Sequence, residues 1–163
     1  MKIDLVPYEP AHAYDIIHRN VIEQNLWLSE FPDWEKWAKG WQEQGPAYTL
    51  IIDNQIVGSA GVILQEWQRG EAWMLISTLF YKYPKTTFKV IKHTLRKIIK
   101  EHDLRRVQSL IAPHIETHQR FIERLGFRHE GLMRAYGPRG ENYLMYSRIT
   151  ENGRSSNPSN YSS

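Results

Sequence analysis

The strongest candidate for chemistry in this sequence is a segment crowded with cationic side chains. Residues 82–106 hold nine lysines and arginines and only two acidic residues, although the whole chain of 163 residues has a formal net charge of +3. Such a segment favours an anionic partner, which would be a phosphate-bearing ligand, a nucleic acid or an acidic protein. It is equally typical of a lysine-rich helix face in contact with water.

Two histidines at helical spacing are the next candidates. His114 and His118 are four residues apart, as zinc ligands on one helix face can be. No third ligand follows at a suitable spacing, and the chain contains no cysteine. We therefore predict no metal site. The lack of cysteine also excludes a disulfide framework, an iron–sulfur cluster and a thiol nucleophile.

Several well-known catalytic and nucleotide-binding motifs are missing from the sequence. It contains no Gly-x-Ser-x-Gly nucleophile elbow, no Walker A loop and no Gly-x-Gly-x-x-Gly fingerprint. These absences argue against a serine hydrolase of the common type, a P-loop nucleotidase and a dinucleotide-binding domain.

Hydrophobic periodicity places the candidate residues on alternating strands and helices. The predicted order is β-α-α-β-β-β-α-β-α-β-β, in which antiparallel strands are followed by βαβ units. This order favours an α/β (α+β) fold built on a mixed sheet. Asp53-Asn54 predicts a tight hairpin turn, and Arg69-Gly70 predicts the next turn. Gly58, inside a strand, predicts a bulge or a close backbone approach.

Two of the predicted helices carry side chains of interest. The helix over residues 84–102 would bury an apolar stripe and turn its lysines to other faces. An earlier helix follows Asp33, whose carboxylate is predicted to accept hydrogen bonds from the first turn. An aromatic stripe on that earlier helix is predicted to pack in the core or, as the alternative, to form the wall of a substrate pocket. Its members are Trp34, Trp37 and Trp41.

The length of the chain predicts one domain. About 150 residues per domain is the usual expectation, and we assign residues 1–150 to a single folded domain. Residues 151–163 contain five serines and three asparagines and almost nothing apolar. This composition predicts a flexible tail, because the tail cannot bury enough surface to offset its ordering entropy.

Residues 121–136 carry a family motif. They read Phe-Ile-Glu-Arg-Leu-Gly-Phe-Arg-His-Glu-Gly-Leu-Met-Arg-Ala-Tyr, so a helix would end at Leu-Gly-Phe and the next strand would begin Glu-Gly-x-x-Arg. Together with the element order, this segment resembles the GNAT superfamily of acyl-CoA-dependent N-acetyltransferases. The element order matches over residues 2–149 and the motifs over residues 106–149. The resemblance implies a GNAT-like fold and transfer of an acetyl group from acetyl-CoA to an amine.

The resemblance also implies where acetyl-CoA would bind. In the family it lies between two parallel strands that splay apart and leave backbone groups to pair with the pantetheine amides. The matching strands here are 71–77 and 106–112. The pantetheine edge is then assigned to Leu75, Ile76 and Ser77. The pyrophosphate falls at the N-terminus of the next helix, where amide groups and the helix dipole favour anions.

The segment that should bind the pyrophosphate departs from the family. The family has a glycine-rich turn there, which lets the backbone approach the phosphates, whereas residues 78–88 contain no glycine. In one interpretation side chains hold the phosphates instead, namely Lys82, Lys85, Thr86 and Thr87. In the other, bulky side chains fill the cofactor's place and acetyl-CoA binding is lost. Those side chains are Phe80, Tyr81 and Tyr83.

The helix that leads to the Leu-Gly-Phe motif also departs from the family pattern. Ile122 stands where the family often has a tyrosine general acid, and Ile115 stands where it commonly has an asparagine. This combination resembles the acetyltransferase-like proteins of tailed bacteriophages, including head-assembly and internal virion proteins. The alternative to an enzyme is thus a catalytically inactive GNAT-fold structural protein, a pseudoenzyme that binds a protein partner.

No catalytic residue is assigned from the sequence. The family reaction needs a base for the ammonium group of the acceptor, and Glu71 and Glu130 are candidates. It also needs an acid for the leaving thiolate. The candidate acids are Tyr136, Tyr143 and Tyr146. Each of these five residues is more often simply a surface carboxylate or a sheet tyrosine.

The expected acceptor is an amine on a small molecule or a protein. A nucleic acid is not expected, because Phe88, which would have to stack on bases beside the lysines, falls in the predicted core stripe. A helix needs about 18 consecutive apolar residues to cross a bilayer, and every apolar run in this sequence is much shorter. No membrane partner is therefore expected. The first ten residues lack the apolar h-region of a signal peptide, so none is expected. We expect a cytoplasmic location, which for a phage protein means the host cytoplasm or the virion. The oligomeric state is undetermined.

Overall fold

The computed structural model describes residues 1–19 and 33–151. The predicted continuation of the first helix to residue 24 and almost all of the predicted flexible tail lie outside the described residues. The strands are β1 (Ile3–Pro7), β2 (Ala47–Ile52), β3 (Gln55–Gln65), β4 (Arg69–Ile76), β5 (Arg106–Ile111), β6 (Arg128–Met133) and β7 (Tyr143–Ile149). The α-helices of the described part are α1 (Pro10–Arg19), α2 (Trp34–Glu43), α3 (Pro84–Glu101) and α4 (Glu116–Arg124), and a short 3-10 helix spans Thr78–Tyr81.

The strands form a seven-stranded mixed sheet in the order β1-β2-β3-β4-β5-β7-β6. Strands β4 and β5 are parallel, with Arg69 opposite Arg106 and Glu71 opposite Gln108. The pairs β1–β2, β2–β3, β5–β7 and β6–β7 are antiparallel. The predicted α/β fold with a mixed sheet is therefore confirmed, and the elements of residues 1–19 and 33–151 follow the predicted order.

The chain divides into two compact units, and β3, β4 and α3 each contribute to both. The first unit comprises Met1–Ile63 and Trp73–Leu95. Its core includes Tyr8, Ile16 and Ile17, and the side chains of Trp34 and Trp41 pack against that core while Trp37 is 36% exposed. The aromatic stripe of α2 thus mostly serves packing, as the first of its two interpretations predicts.

The second unit comprises Leu64–Ala72 and Arg96–Ser163. Within it β7 pairs with both β5 and β6, and its buried side chains include Val107, Leu125 and Phe127. The assignment of residues 1–150 to one domain stays a prediction.

Two turn predictions have different outcomes. Asp53 and Asn54 adopt φ values of 48° and 63° between β2 and β3, which confirms the tight hairpin. The turn predicted at Arg69-Gly70 is wrong, because the turn residues are Trp67 and Gln68, at φ 61° and 56°, and Arg69 already begins β4. The Gln68 carbonyl accepts hydrogen bonds from two backbone N–H groups of the second unit, so tertiary contacts hold a turn that local propensity disfavours.

The hydrogen bond predicted to cap α2 is also wrong, although the position of the cap is right. Asp33 occupies the N-cap position, but its side chain makes no capping hydrogen bond. Its backbone carbonyl instead accepts from the amides of Lys36 and Trp37, at 3.0 and 3.4 Å. The position of the helix start was predictable, whereas the direction of the carboxylate was not.

Gly58 allows β3 to approach the end of β4, as the sequence predicts. A Cβ atom at Gly58 would lie 2.8 Å from the carbonyl oxygen of Leu75 and 3.5 Å from the Cα of Ile76. Both neighbours are backbone atoms in the first unit and cannot rotate away. Any side chain at residue 58 would therefore push β3 away from the part of β4 that the resemblance assigns to the cofactor.

We expect Gly58→Ala to lower the free energy of unfolding by about 1–3 kcal/mol, because the added methyl group overpacks a rigid contact. Gly131→Ala is the matched control, since a Cβ atom there would meet nothing within 4 Å. Urea unfolding of the two variants measures the difference. Equal stability of the two variants would contradict the close approach.

Candidate functional site

The N-terminus of α3 is the first component of the candidate site, and it lies in the first unit. The helix spans Pro84–Glu101, against the predicted 84–102. The amide of Thr87 is the first in the helix with a backbone acceptor one turn back, the carbonyl of Tyr83 at 3.0 Å. The amides of Lys85 and Thr86 precede it in the first turn, where backbone donors have no acceptor within the helix. The positive end of the helix dipole adds to their attraction for an anion.

A buried hydroxyl in the same turn has no hydrogen-bond partner. Thr87 is 2% exposed, and its Oγ1 atom forms no hydrogen bond in the described part of the chain. Buried side-chain polar atoms are usually hydrogen-bonded, and an exception calls for an explanation. A ligand oxygen bound at the helix N-terminus would supply the missing partner.

Two cations flank this turn. Lys82 and Lys85 are both exposed, and neither forms an ion pair within residues 1–19 and 33–151. The Lys82 ammonium lies 5.3 Å from the ring centroid of Tyr83, which is a weak cation–π contact at an exposed site. Both charges are therefore available to an anionic group.

The aromatic side chains of the 3-10 segment differ in burial. Phe80 is 7% exposed, whereas Tyr81 is 52% exposed and Tyr83 is half-buried. The Phe80 and Tyr81 rings meet edge to face, with centroids 5.5 Å apart. Only one of the three residues that could fill a cofactor site is thus packed inside the protein.

The end of β4 is buried and tied to β3. Leu75, Ile76 and Ser77 are 4%, 0% and 0% exposed. The Ser77 amide donates to the Val57 carbonyl at 3.0 Å. Its hydroxyl lies 2.8 and 2.9 Å from the carbonyls of Ile56 and Val57 and accepts from the Leu79 amide. The amide and hydroxyl of Ser77 are therefore used within the protein, and its contact with a cofactor rests on the resemblance alone.

Glu130, in the second unit, is bound by an arginine. The Arg106 guanidinium donates to both carboxylate oxygens, at 2.8 and 2.7 Å, and the Ser147 hydroxyl donates to one of them. The hydrogen bond from Arg106 is the main reason why the pKa of Glu130 falls to about 2. A carboxylate so strongly stabilised in its ionised form is a poor proton acceptor near neutral pH.

Glu71 is held much more loosely. Its Oε2 atom accepts one side-chain hydrogen bond, from the Gln108 amide nitrogen at 3.4 Å. The Gln108 amide oxygen accepts from Arg106 Nε at 3.2 Å, which fixes the orientation of the amide. Sequence reasoning did not single out Gln108, and the only signal for it is its place opposite Glu71 in the parallel register.

The three candidate tyrosines are in different environments. Tyr146 is 2% exposed and donates to Glu123 Oε1 at 3.1 Å. Burial raises the pKa of Tyr146 and of Tyr143, with nearby glutamates adding to it. Tyr136 is 51% exposed, and its ring centroid lies 6.5 Å from that of Tyr143. Tyr143 and Tyr136 are consequently better placed than Tyr146 to meet a ligand.

Helix α4 carries the remaining candidates. Ile122 is 7% exposed and packs in the second unit, while Ile115 occupies the N-cap position without a capping side chain. Burial first, and then the charge of His114, lower the pKa of His118. Within the described residues no group of three or more His, Asp or Glu side chains is arranged to hold a metal ion.

We expect the Arg106–Glu130 pair to make folding stability sensitive to acid. The pKa of Glu130 falls from 4.5 to about 2 on folding, so its stabilising contribution is complete above pH 4.5 and is lost as the pH falls towards 2. Glu130→Gln should cost about 0.5–1 kcal/mol at pH 7, because the pair is partly exposed, and should cost nothing near pH 2. Chemical unfolding across this range measures it.

Glu116→Gln is the control for that measurement. Glu116 also pairs with an arginine, Arg120, at 2.6 Å, but both side chains are largely exposed. We expect little change of stability in this control at either pH. The interpretation fails if Glu130→Gln and the wild type lose the same free energy of unfolding on acidification.

Comparison with known proteins identifies the fold. No protein-family model matches the sequence, and no curated protein matches it. Among solved structures, the chain is similar to a GNAT-family acetyltransferase from Bacillus anthracis, with a TM-score of 0.66 and 15% identity over 91% of this chain and 95% of that chain. It is similar to the ribosomal-protein-S18-alanine N-acetyltransferase from Escherichia coli, with a TM-score of 0.70 and 13% identity over 91% and 94%.

A third similar structure is a spermidine N-acetyltransferase chimera from Vibrio cholerae and hSSAT. Its TM-score is 0.66, with 12% identity over 91% of this chain and 96% of that chain. At these identities the likeness shows the fold, which is that of GNAT acetyltransferases. The resemblance to bacteriophage head-assembly proteins gains no support from these structures. Among the described residues no helix is long and apolar enough to span a bilayer.

Proposed function

We propose that this protein is a GNAT-fold N-acyltransferase that transfers the acetyl group of acetyl-CoA to an amine. The observation that supports this most directly is the unpartnered hydroxyl of Thr87, buried in the first turn of α3. It lies in the turn that would meet the pyrophosphate of the cofactor. The site would be an anion site in which side chains, together with the first amides of α3, take the place of a glycine-rich turn.

The pyrophosphate would be held by three kinds of group. The amides of Lys85 and Thr86 donate hydrogen bonds at the positive end of the helix. The Thr87 hydroxyl would donate from the same turn, and the ammonium groups of Lys82 and Lys85 would supply charge. Leu75 and Ile76 present their strand edge to the pantetheine arm. A hydrogen bond to a charged group is worth about 1.5–3 kcal/mol, so this set could replace the glycine turn.

When bound, acetyl-CoA supplies an activated thioester carbonyl to the acceptor amine. Glu71 accepts the proton of the acceptor ammonium, directly or through one water molecule, so that the neutral amine can attack. As the new bond joins the amine nitrogen to the acyl carbon and the carbon–sulfur bond breaks, the nitrogen would lose its surplus proton to water and the leaving thiolate would take a proton. Tyr143 or Tyr136 donates that proton, in place of the tyrosine that Ile122 replaces.

The acceptor class is an amine on a small molecule or on a protein. Two structural neighbours support this range, since one is titled a spermidine N-acetyltransferase and the other a ribosomal-protein-S18-alanine N-acetyltransferase. A cytoplasmic location would supply acetyl-CoA and either kind of acceptor.

A second function is favoured by the packing of two residues. Ile122 is buried where the family often has its general acid, and Phe80 is buried in the segment that replaces the glycine turn. Both suit a GNAT scaffold that has lost catalysis and serves as a binding or assembly module, which would include a bacteriophage head protein in a host cytoplasm or a virion. Such a protein would form a stable complex with a protein partner and transfer no acetyl group to any amine.

Titration with acetyl-CoA, by calorimetry and by thermal shift, is the first test. A ligand that binds only the folded state raises the unfolding temperature by mass action. We expect micromolar binding, weakened at least tenfold in the Lys82→Ala/Lys85→Ala variant and less dependent on salt in that variant, because two charges are lost. The matched control is Lys36→Ala/Lys39→Ala on α2. No heat and no shift at millimolar ligand would favour the assembly module.

Thr87→Val gives two readouts of opposite sign. Removing a buried hydroxyl without a partner should leave the free protein as stable as before, or stabilise it by about 1 kcal/mol. The same change should weaken acetyl-CoA binding roughly fivefold, since one hydrogen bond is lost. Thr94→Val, later on the same helix, is the control. A loss of stability without a loss of affinity would assign Thr87 to packing instead.

Activity on an amine library tests the catalytic assignment. Glu71→Gln should reduce kcat about 10²–10⁴-fold and remove the acid limb of its pH profile, because it removes the proposed base. Glu130→Gln should change kcat by no more than a few-fold, since Glu130 is committed to Arg106. The assignment is overturned if Glu130→Gln is the more damaging change.

A further inference from the structure

One face of α3 carries a row of four cations. Lys89, Lys92, Arg96 and Lys100 are spaced by three, four and four residues along a single continuous helix. At 3.6 residues per turn they fall within an arc of about 80° and extend over about 16 Å of the helix axis. Three of them are exposed and Lys92 is half-buried. We call this set the α3 cation row.

The row forms no ion pair in the described part of the chain, whereas Lys97 pairs with Glu101 at 3.8 Å on the neighbouring face. The Lys92 ammonium lies 5.8 Å from the centroid of the Phe88 ring. Another cation, Arg148, lies close enough to Arg96 to be repelled by it. Burial, and after it repulsion by Arg96, lower the pKa of Arg148.

The kind of anion follows from what the row lacks. None of the exposed large hydrophobic side chains in the described chain lies on α3. A protein interface normally needs a buried aromatic or apolar anchor, and membrane binding by a surface helix needs apolar side chains to insert. Contacts to a nucleic acid backbone need only cations facing phosphates.

We propose that the α3 cation row binds the phosphate backbone of a nucleic acid duplex without sequence preference. This reverses the expectation from sequence, which set nucleic acid aside because Phe88 cannot stack on bases. Stacking matters for single strands, whereas a duplex keeps its bases paired and offers phosphates. Lys85 lies one turn before Lys89 on the same face of the helix, but the variant of Lys92 and Arg96 tested below leaves Lys82 and Lys85 in place, so its effect can be separated from the proposed acyl-transfer function.

The test is fluorescence anisotropy of a labelled 20-base-pair DNA duplex titrated with the full chain between 50 and 200 mM salt. If all four cations contact phosphates, log K should fall with log salt at a slope of about −3.6, from 0.9 per phosphate. Lys92→Gln/Arg96→Gln should weaken binding at least tenfold at 50 mM salt and make the slope shallower by about 1.8. Two duplexes of unrelated sequence should bind alike.

The control is Lys36→Gln/Lys39→Gln on α2, which removes the same net charge at another place. We expect its affinity to stay within twofold of the wild type. Thermal unfolding of both variants checks the fold, and the row variant should be at least as stable as the wild type at low salt, because repulsion between cations is relieved.

Four outcomes would overturn the proposal. The first is no salt-dependent binding of duplex by the wild type at 50 mM salt. The second is an equal loss of affinity in the control variant, which would reduce the effect to net charge. The third is displacement of the duplex by poly-glutamate at equal charge concentration, which would indicate an acidic protein partner. The fourth is binding to phosphatidylserine vesicles that the row variant loses while its duplex affinity is unchanged.

Discussion

The hydrogen bonds between Ser77 and strand β3 determine where helix α3 begins. The Ser77 amide and hydroxyl are tied to the carbonyls of Val57 and Ile56, and the same hydroxyl receives the amide of Leu79, which starts the 3-10 turn. That turn leads within a few residues to Pro84. The close contact between β3 and the end of β4 therefore positions the N-terminus of the helix, with its first amides and the buried Thr87 hydroxyl. The absence of a side chain at Gly58 permits this contact.

The two candidate carboxylates of the second unit differ in how strongly their negative charge is stabilised. Glu130 receives a bidentate arginine and a hydroxyl, so its negative charge is stabilised and its affinity for a proton is low. Glu71 receives a single long hydrogen bond from Gln108, whose orientation the same arginine fixes. Arg106 thus removes one carboxylate from proton transfer and leaves the other less strongly bound. Two glutamates that are equivalent in the sequence become different groups in the fold.

Helix α3 combines two kinds of anion chemistry along its length. Its first turn offers directed amide donors and an unpartnered hydroxyl, which suit a compact ligand such as a pyrophosphate. Its later turns offer only flexible cations in a row, which suit an extended charge with no fixed stereochemistry. The basic segment that composition alone presents as one feature therefore has two parts, which adjoin at Lys85, one turn before Lys89 on the same face of the helix.

Local chemistry made much of the fold predictable, including the element order, the limits of α3 and the Asp53-Asn54 hairpin, because periodicity and turn preference act between residues close in sequence. The motif at residues 121–136 led to the same fold as the structural neighbours. The turn at Trp67-Gln68, the pairing of Glu130 with Arg106 and the burial of Thr87 were decided by the tertiary structure alone. Each depends on groups that meet only after the strands have paired, and no pattern along the chain records which donors and acceptors will then face one another.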